Sequence, residues 1–87
     1  MSWEVILSKQ ASRDLKSIKQ AGLAEKTRSL FEALQHDPFV TPPRYESLVG
    51  NLKGYYSRRI NIKHRLVYSV DTDKKIIHIL RCWTHYE

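Results

Sequence analysis

Glu46, Arg65 and His85, with Tyr86 beside the last, are the side chains in this sequence that could work together on a phosphodiester. Cutting RNA without a metal needs a base to take the proton from the ribose 2′-OH and an acid to protonate the leaving 5′-oxygen. It also needs cations to steady the negative charge that crowds onto phosphorus in the transition state. A carboxylate, an imidazole and a guanidinium fill those roles, and base and acid each contribute ~10²–10⁴-fold. Between Asp37 and Asp71 the only carboxylate is Glu46, while Arg44, Lys53, Arg58, Arg59, Lys63 and Arg65 crowd the same stretch. Each candidate also has a plainer reading. A lone Glu among cations is commonly a surface ion-pair partner, and a histidine two residues from the chain end is commonly frayed and exposed.

Other chemistries find no footing. The three glycines are scattered, so no Gly-rich loop cradles a phosphate. His64 and His78 lack partners at metal-ligand spacing, and no nucleophile elbow is present. One cysteine, Cys82, can make neither an intrachain disulfide nor a four-cysteine metal site. No apolar run approaches the ~20 residues that span a bilayer, and Met1-Ser2-Trp3-Glu4 does not open a signal peptide. The expectation is a cytoplasmic, reduced protein with no membrane contact, no metal and no cofactor.

Charge points to a partner. Lys+Arg minus Asp+Glu is 15 − 9 = +6, with pI near 9.7. Residues 1–43 carry a net +1 and residues 44–87 a net +5. A basic second half suits a polyanion such as nucleic acid, or an acidic protein; a solvated basic face with no specific ligand is the alternative. Aromatic residues interleave with the cations (Tyr45, Tyr55, Tyr56, Tyr68, Trp83, Tyr86) and could stack on splayed bases. Tyr56 and Tyr68 are expected in the core, with Tyr86 accessible.

The elements that must position these groups follow from periodicity. At 87 residues, 41% hydrophobic and 28% charged, the chain is globular and long enough for one core, so residues 1–87 read as one domain. Trp3 to Leu7 reads as a short strand. Ser8 caps a helix over about residues 9–20, with Ala11, Leu15 and Ile18 on its apolar face. Gly22 breaks it, and a second helix carries Leu23, Thr27, Leu30, Phe31 and Leu34 on one face. Three prolines between Pro38 and Pro43 then enforce an internal loop. Beyond it the period becomes two. Tyr56, Arg58, Ile60 and Ile62 alternate with Tyr55, Ser57, Arg59 and Asn61, and Leu66, Tyr68 and Val70 form the next inward row. Asp71 to Lys74 is a hairpin turn, and Ile76 to Cys82 a further strand that is apolar on both faces. The fold class is α+β: a short N-terminal strand, two helices, then an antiparallel sheet. If Ile60, Ile62, Leu66, Tyr68 and Val70 face the helices, Arg59, Asn61 and Arg65 lie on a basic open face. The parity of the last strand is ambiguous, and it does not place His85.

Three segments carry a family resemblance: Asn51-Leu52-Lys53-Gly54-Tyr55-Tyr56-Ser57-Arg58-Arg59-Ile60-Asn61, then His64-Arg65-Leu66-Val67-Tyr68, then His85-Tyr86. They closely resemble the YoeB/Txe family of bacterial toxins, within the RelE-like superfamily. The pattern covers residues 43–87, with Pro43-Arg44-Tyr45-Glu46-Ser47-Leu48 a looser match. The resemblance implies the RelE/YoeB-like fold and a ribosome-dependent, metal-independent mRNA endonuclease that cuts the codon in the A site and so inhibits translation. It implies Glu46 as general base, His85 as general acid and Arg65 as transition-state stabiliser. Arg59, Arg58, Lys53 and Tyr86 become the RNA-binding set. The implied partners are the ribosome, its A-site mRNA and an acidic YefM/Axe-like antitoxin, with a homodimer left open.

This chain departs from the pattern at Val49, where many members carry Lys, and Lys53 is the candidate to replace it. Trp83 stands where several relatives have Arg. Two other classes stay in view: a gyrase-directed toxin of the same fold, which would not need the Glu46, Arg65 and His85 set, and a basic RNA-binding module without chemistry.

Overall fold

The computed structural model describes residues 3–41, 44–61 and 64–83. Strand β1 (Glu4–Leu7) leads into helix α1 (Lys9–Gln20) and helix α2 (Ala24–His36). Strand β2 (Tyr45–Ser47), a 3₁₀ turn at Gly50–Leu52, and strands β3 (Tyr55–Arg59), β4 (Arg65–Asp71) and β5 (Ile76–Arg81) follow.

α1 starts where the cap was expected. The Ser8 hydroxyl accepts from the Ala11 amide at 3.0 Å and donates to the Leu80 carbonyl at 2.8 Å. One side chain thus satisfies an orphan helix donor and ties the helix start to the far end of β5. Gly22, at φ +75°, supplies the left-handed residue that ends the helix. α2 stops at Asp37, whose carboxylate accepts from the Phe39 amide at 3.0 Å and so opens the proline loop.

The five strands form one sheet in the order β1-β5-β4-β3-β2. β2 to β5 pair antiparallel, as expected of a meander, while β1 pairs parallel with β5, so the sheet is mixed. Parallel neighbours need a crossover, and α1, α2 and the rest of the sheet supply it. This explains why the last strand is apolar on both faces: β5 lies inside the sheet, with Ile77 and Ile79 fully buried. A bulge at Leu80 sets Val67 opposite Arg81 but Tyr68 opposite Ile79. Strict alternation ends there, which is why sequence parity cannot place the residues beyond it.

The helices cover one face of the sheet. Ala11, Ile18, Leu30, Leu34, Ile60, Leu66, Tyr68, Ile77, Ile79 and Cys82 make the core, with Tyr56 packed against it. Ile62, expected on the same inward row, lies outside the described residues. Among the described residues no helix is long and apolar enough to cross a membrane.

Candidate functional site

Glu46 sits in the middle of edge strand β2, opposite Ser57 of β3. Two residues along β3, Arg59 stands opposite Arg65, the first residue of β4. These positions share the face away from the helices. The Arg65 Nη1 donates to Glu46 Oε1 at 3.2 Å, from a partly covered guanidinium to a carboxylate side chain 55% exposed. Arg44, Glu46, Ser57, Arg59 and Arg65 line an open depression of about 410 Å³. That volume falls in the ~300–1,000 Å³ range of small-molecule sites.

The electrostatics are lopsided. Three guanidiniums against one carboxylate leave 3 − 1 = +2 at the depression. Arg59 and Arg65 are directly cross-strand, an arrangement of like charges that disfavours folding by itself. Glu46 relieves Arg65 only in part, so a bound anion is the natural complement. Among the described residues Glu46 accepts one hydrogen bond, the one from Arg65, and the carboxylate remains open to solvent on its other side.

Of the residues singled out in the sequence, Glu46, Arg59 and Arg65 come together here. Lys53 is exposed in the turn that leads into β3 and does not line the depression. His85 and Tyr86 lie outside the described residues. Arg58 requires a correction as an RNA-binding residue, because it is 1% exposed on the helix side of the sheet. Its Nε donates to the Tyr68 hydroxyl at 3.1 Å and its Nη2 to the Pro38 carbonyl at 3.0 Å. Its guanidinium also lies 5.1 Å from the centre of the Tyr45 ring. The physical reason is the pleat: Arg58 shares parity with Tyr56 and Ile60, so it points inward, and the loop carbonyl satisfies the charge. Burial pushes the Tyr68 phenol up in pKa, against the pull of Arg58, so its hydroxyl stays protonated and donates to Pro38 at 3.0 Å. Arg58 is therefore a structural rivet beneath the site. It fastens the proline loop, together with the Phe39, Tyr45 and Tyr56 ring cluster, under β2.

Arg44 and Ser57 were missed as site residues. Both were findable by parity: Arg44 lies two before Glu46, and Ser57 two before Arg59. On the far flank, Trp83 stacks on His64, with ring centres 3.6 Å apart and planes at 14°. His64 is the residue before Arg65, so this stack borders the strand that delivers the guanidinium.

Fold and site together define a class: a small α+β domain that displays one carboxylate among arginines on the open face of its sheet. Comparison with known proteins carries this further. Residues 7–86 match the family described as YoeB-like toxin of bacterial type II toxin-antitoxin systems. The chain is 39% identical over 87 residues to "Toxin YoeB" of Synechocystis sp., covering 100% of this chain and 91% of that protein. It superposes on the YoeB/ParE toxin from Agrobacterium tumefaciens with a TM-score of 0.86 at 28% identity, over 95% of this chain and 99% of that one. The Staphylococcus aureus YoeB, solved in a heterotetrameric complex with YefM, gives 0.81 at 36% identity over 99% and 100%. Solved as a dimer, that protein gives 0.83 at the same identity and coverage. This chain belongs to the YoeB-like family, and is a toxin of a type II toxin–antitoxin system with a RelE-like fold.

Proposed function

We propose that this toxin is an endoribonuclease that cuts messenger RNA in the A site of the ribosome. Glu46 takes the proton from the ribose 2′-OH. The 2′-oxygen then attacks phosphorus, and the bond from phosphorus to the 5′-oxygen breaks. His85 gives that oxygen a proton as it leaves. The products are a 2′,3′-cyclic phosphate, open to hydrolysis to the 3′-phosphate, and a 5′-OH. Arg65 and Arg59 hold the non-bridging oxygens as charge builds up on them. The observation that carries this reading is the contact of Glu46 with Arg65 in a depression ringed by two further arginines. When the scissile phosphate enters, it competes for Arg65 and frees Glu46 to accept a proton.

His85 enters through its place in the chain. It stands two residues beyond Trp83 in the sequence and is assigned as general acid by the family resemblance. Trp83 in turn is stacked beside Arg65's neighbour His64. Tyr86 is assigned to orienting the substrate.

The expected partner is an acidic antitoxin resembling the YefM of the Staphylococcus aureus complex, seated on the basic half of the chain. The dimer of that relative makes self-association a second expectation, which size-exclusion of the toxin alone would check.

The test is to express the toxin alone in a bacterium and map the 5′ ends of cellular mRNA. New 5′-OH ends within translated codons are expected. Intact mRNA accompanied by DNA breaks would replace this reading with a gyrase-directed one.

A further inference from the structure

The one deeply buried carboxylate in the described residues takes no part in the site above. Asp14, in the middle of α1, is 3% exposed and accepts three hydrogen bonds. The Arg81 Nε donates at 2.9 Å, the Cys82 amide at 3.1 Å and the Gln10 Nε2 at 3.0 Å. Burial works against its charge, but these bonds and the Arg81 cation outweigh that and hold its pKa below the usual carboxylate range.

Two of the three donors belong to the stretch where β5 ends. That stretch is held at further points. The Arg81 Nη2 donates to the Trp83 carbonyl at 3.1 Å, the Cys82 thiol reaches the Ala11 carbonyl at 3.5 Å, and the Trp83 ring lies flat on His64. Core packing engages the Cys82 and Trp83 side chains. A buried charge that binds a main-chain amide and an arginine fixes where the backbone goes, and an apolar residue could not do that. The bulge at Leu80 lets the consecutive residues Arg81 and Cys82 both address α1.

From this geometry we infer that Asp14 is a positioning residue: it fixes the backbone from Arg81 to Trp83, the stretch that leads into His85 two residues on. The inference rests on the proposed role of His85 as general acid. Asp14 touches neither substrate nor reacting atoms, and its effect on cleavage runs through the imidazole.

The test is a double-mutant cycle in single-turnover cleavage of ribosome-bound mRNA, with Asp14→Asn, His85→Ala and the pair. In the otherwise wild-type toxin, Asp14→Asn should lower the maximal rate ~10–10²-fold, the cost of a misplaced catalytic group, at unchanged half-saturating toxin concentration. In the His85→Ala background it should change the rate by less than about 2-fold, the scatter seen for a group whose partner is gone. Arg81→Gln, on the more exposed side of the pair, should repeat the pattern if Asp14→Asn folds poorly. Hydrogen exchange at the Cys82 amide should speed up in both variants while the β3 and β4 amides keep their protection. Equal losses in both backgrounds, or an unchanged Cys82 amide, overturn the positioning role alone. A wild-type toxin that leaves ribosome-bound mRNA intact overturns the function reading, and this inference with it.

Discussion

Arg58 and Arg59 are adjacent in sequence and do opposite work. Arg58 is walled in by the Tyr68 hydroxyl, the Pro38 carbonyl and the Tyr45 ring. Replacing it with Met removes one of the two donors to the Pro38 carbonyl and the donor to the Tyr68 hydroxyl, and costs the loop its fastening. We expect Arg58→Met to lower stability by about 2–4 kcal/mol in urea unfolding. Arg59 is exposed at the rim of the depression, and its removal relieves a like-charge contact with Arg65. Arg59→Met should leave stability within about 0.5 kcal/mol of wild type while weakening RNA binding. Equal stability losses at both positions would contradict the assigned directions of the two side chains. Cys82 makes a further residue-scale case. Burial, then the neighbouring Asp14 charge, push its thiol up to about 12, with Arg81 opposing. It should resist alkylation at pH 8 in the folded protein and react once the chain is unfolded.

At the scale of elements, the contact between α1 and β5 brings the two ends of the described chain together. Asp14 and Cys82 are 68 residues apart, and Ser8 and Leu80 are 72 apart. The pH dependence of that contact has a definite sign. The folded pKa of Asp14 is lowered, so its stabilisation is complete above the unfolded-chain value of about 3.9 and fades as pH falls through the lower folded value. Wild type should therefore exceed Asp14→Asn in stability by roughly 1–3 kcal/mol at pH 7, Arg81 being partly exposed. The gap should narrow below about pH 4. Urea unfolding at pH 7 and pH 3 measures this, and a gap that widens in acid would contradict it. The same elements show what was legible beforehand. α1 was readable to the residue, because Ser8 is a local cap and Ala11, Leu15 and Ile18 keep helical spacing. β2 was not, since three residues at a sheet edge offer too little alternation to see. The parallel pairing of β1 with β5 is a non-local choice that no window of sequence encodes. Arg58 was misjudged because its charge was weighed above its parity.

For the whole molecule, the uneven charge sets how the toxin meets its partners. Residues 44–87 hold +5 of the net +6, and the arginines of the depression stand on an exposed sheet face. An acidic antitoxin drawn to that half should bind less tightly as salt rises from 0.05 to 0.5 M, as the Debye length shrinks from roughly 14 Å to 4 Å. Calorimetry at the two salt levels checks this, and an affinity indifferent to salt would move the contact to apolar surfaces instead. Two of the three groups assigned to catalysis meet on the open face, Arg65 from β4 and Glu46 from β2. Strand parity made Arg65's face readable, whereas Glu46 stood out only as the lone carboxylate of a basic stretch and through the family resemblance. The third depends on a chain end that no strand parity reaches.

The central claim is that a carboxylate, a guanidinium and an imidazole act together on one ribose–phosphate link. Single-turnover cleavage of ribosome-bound mRNA by Glu46→Ala, Arg65→Ala and His85→Ala tests it most directly. Each substitution should slow cleavage at least ~10²-fold, the scale of losing one catalytic group. Rates near wild type from all three would contradict the account.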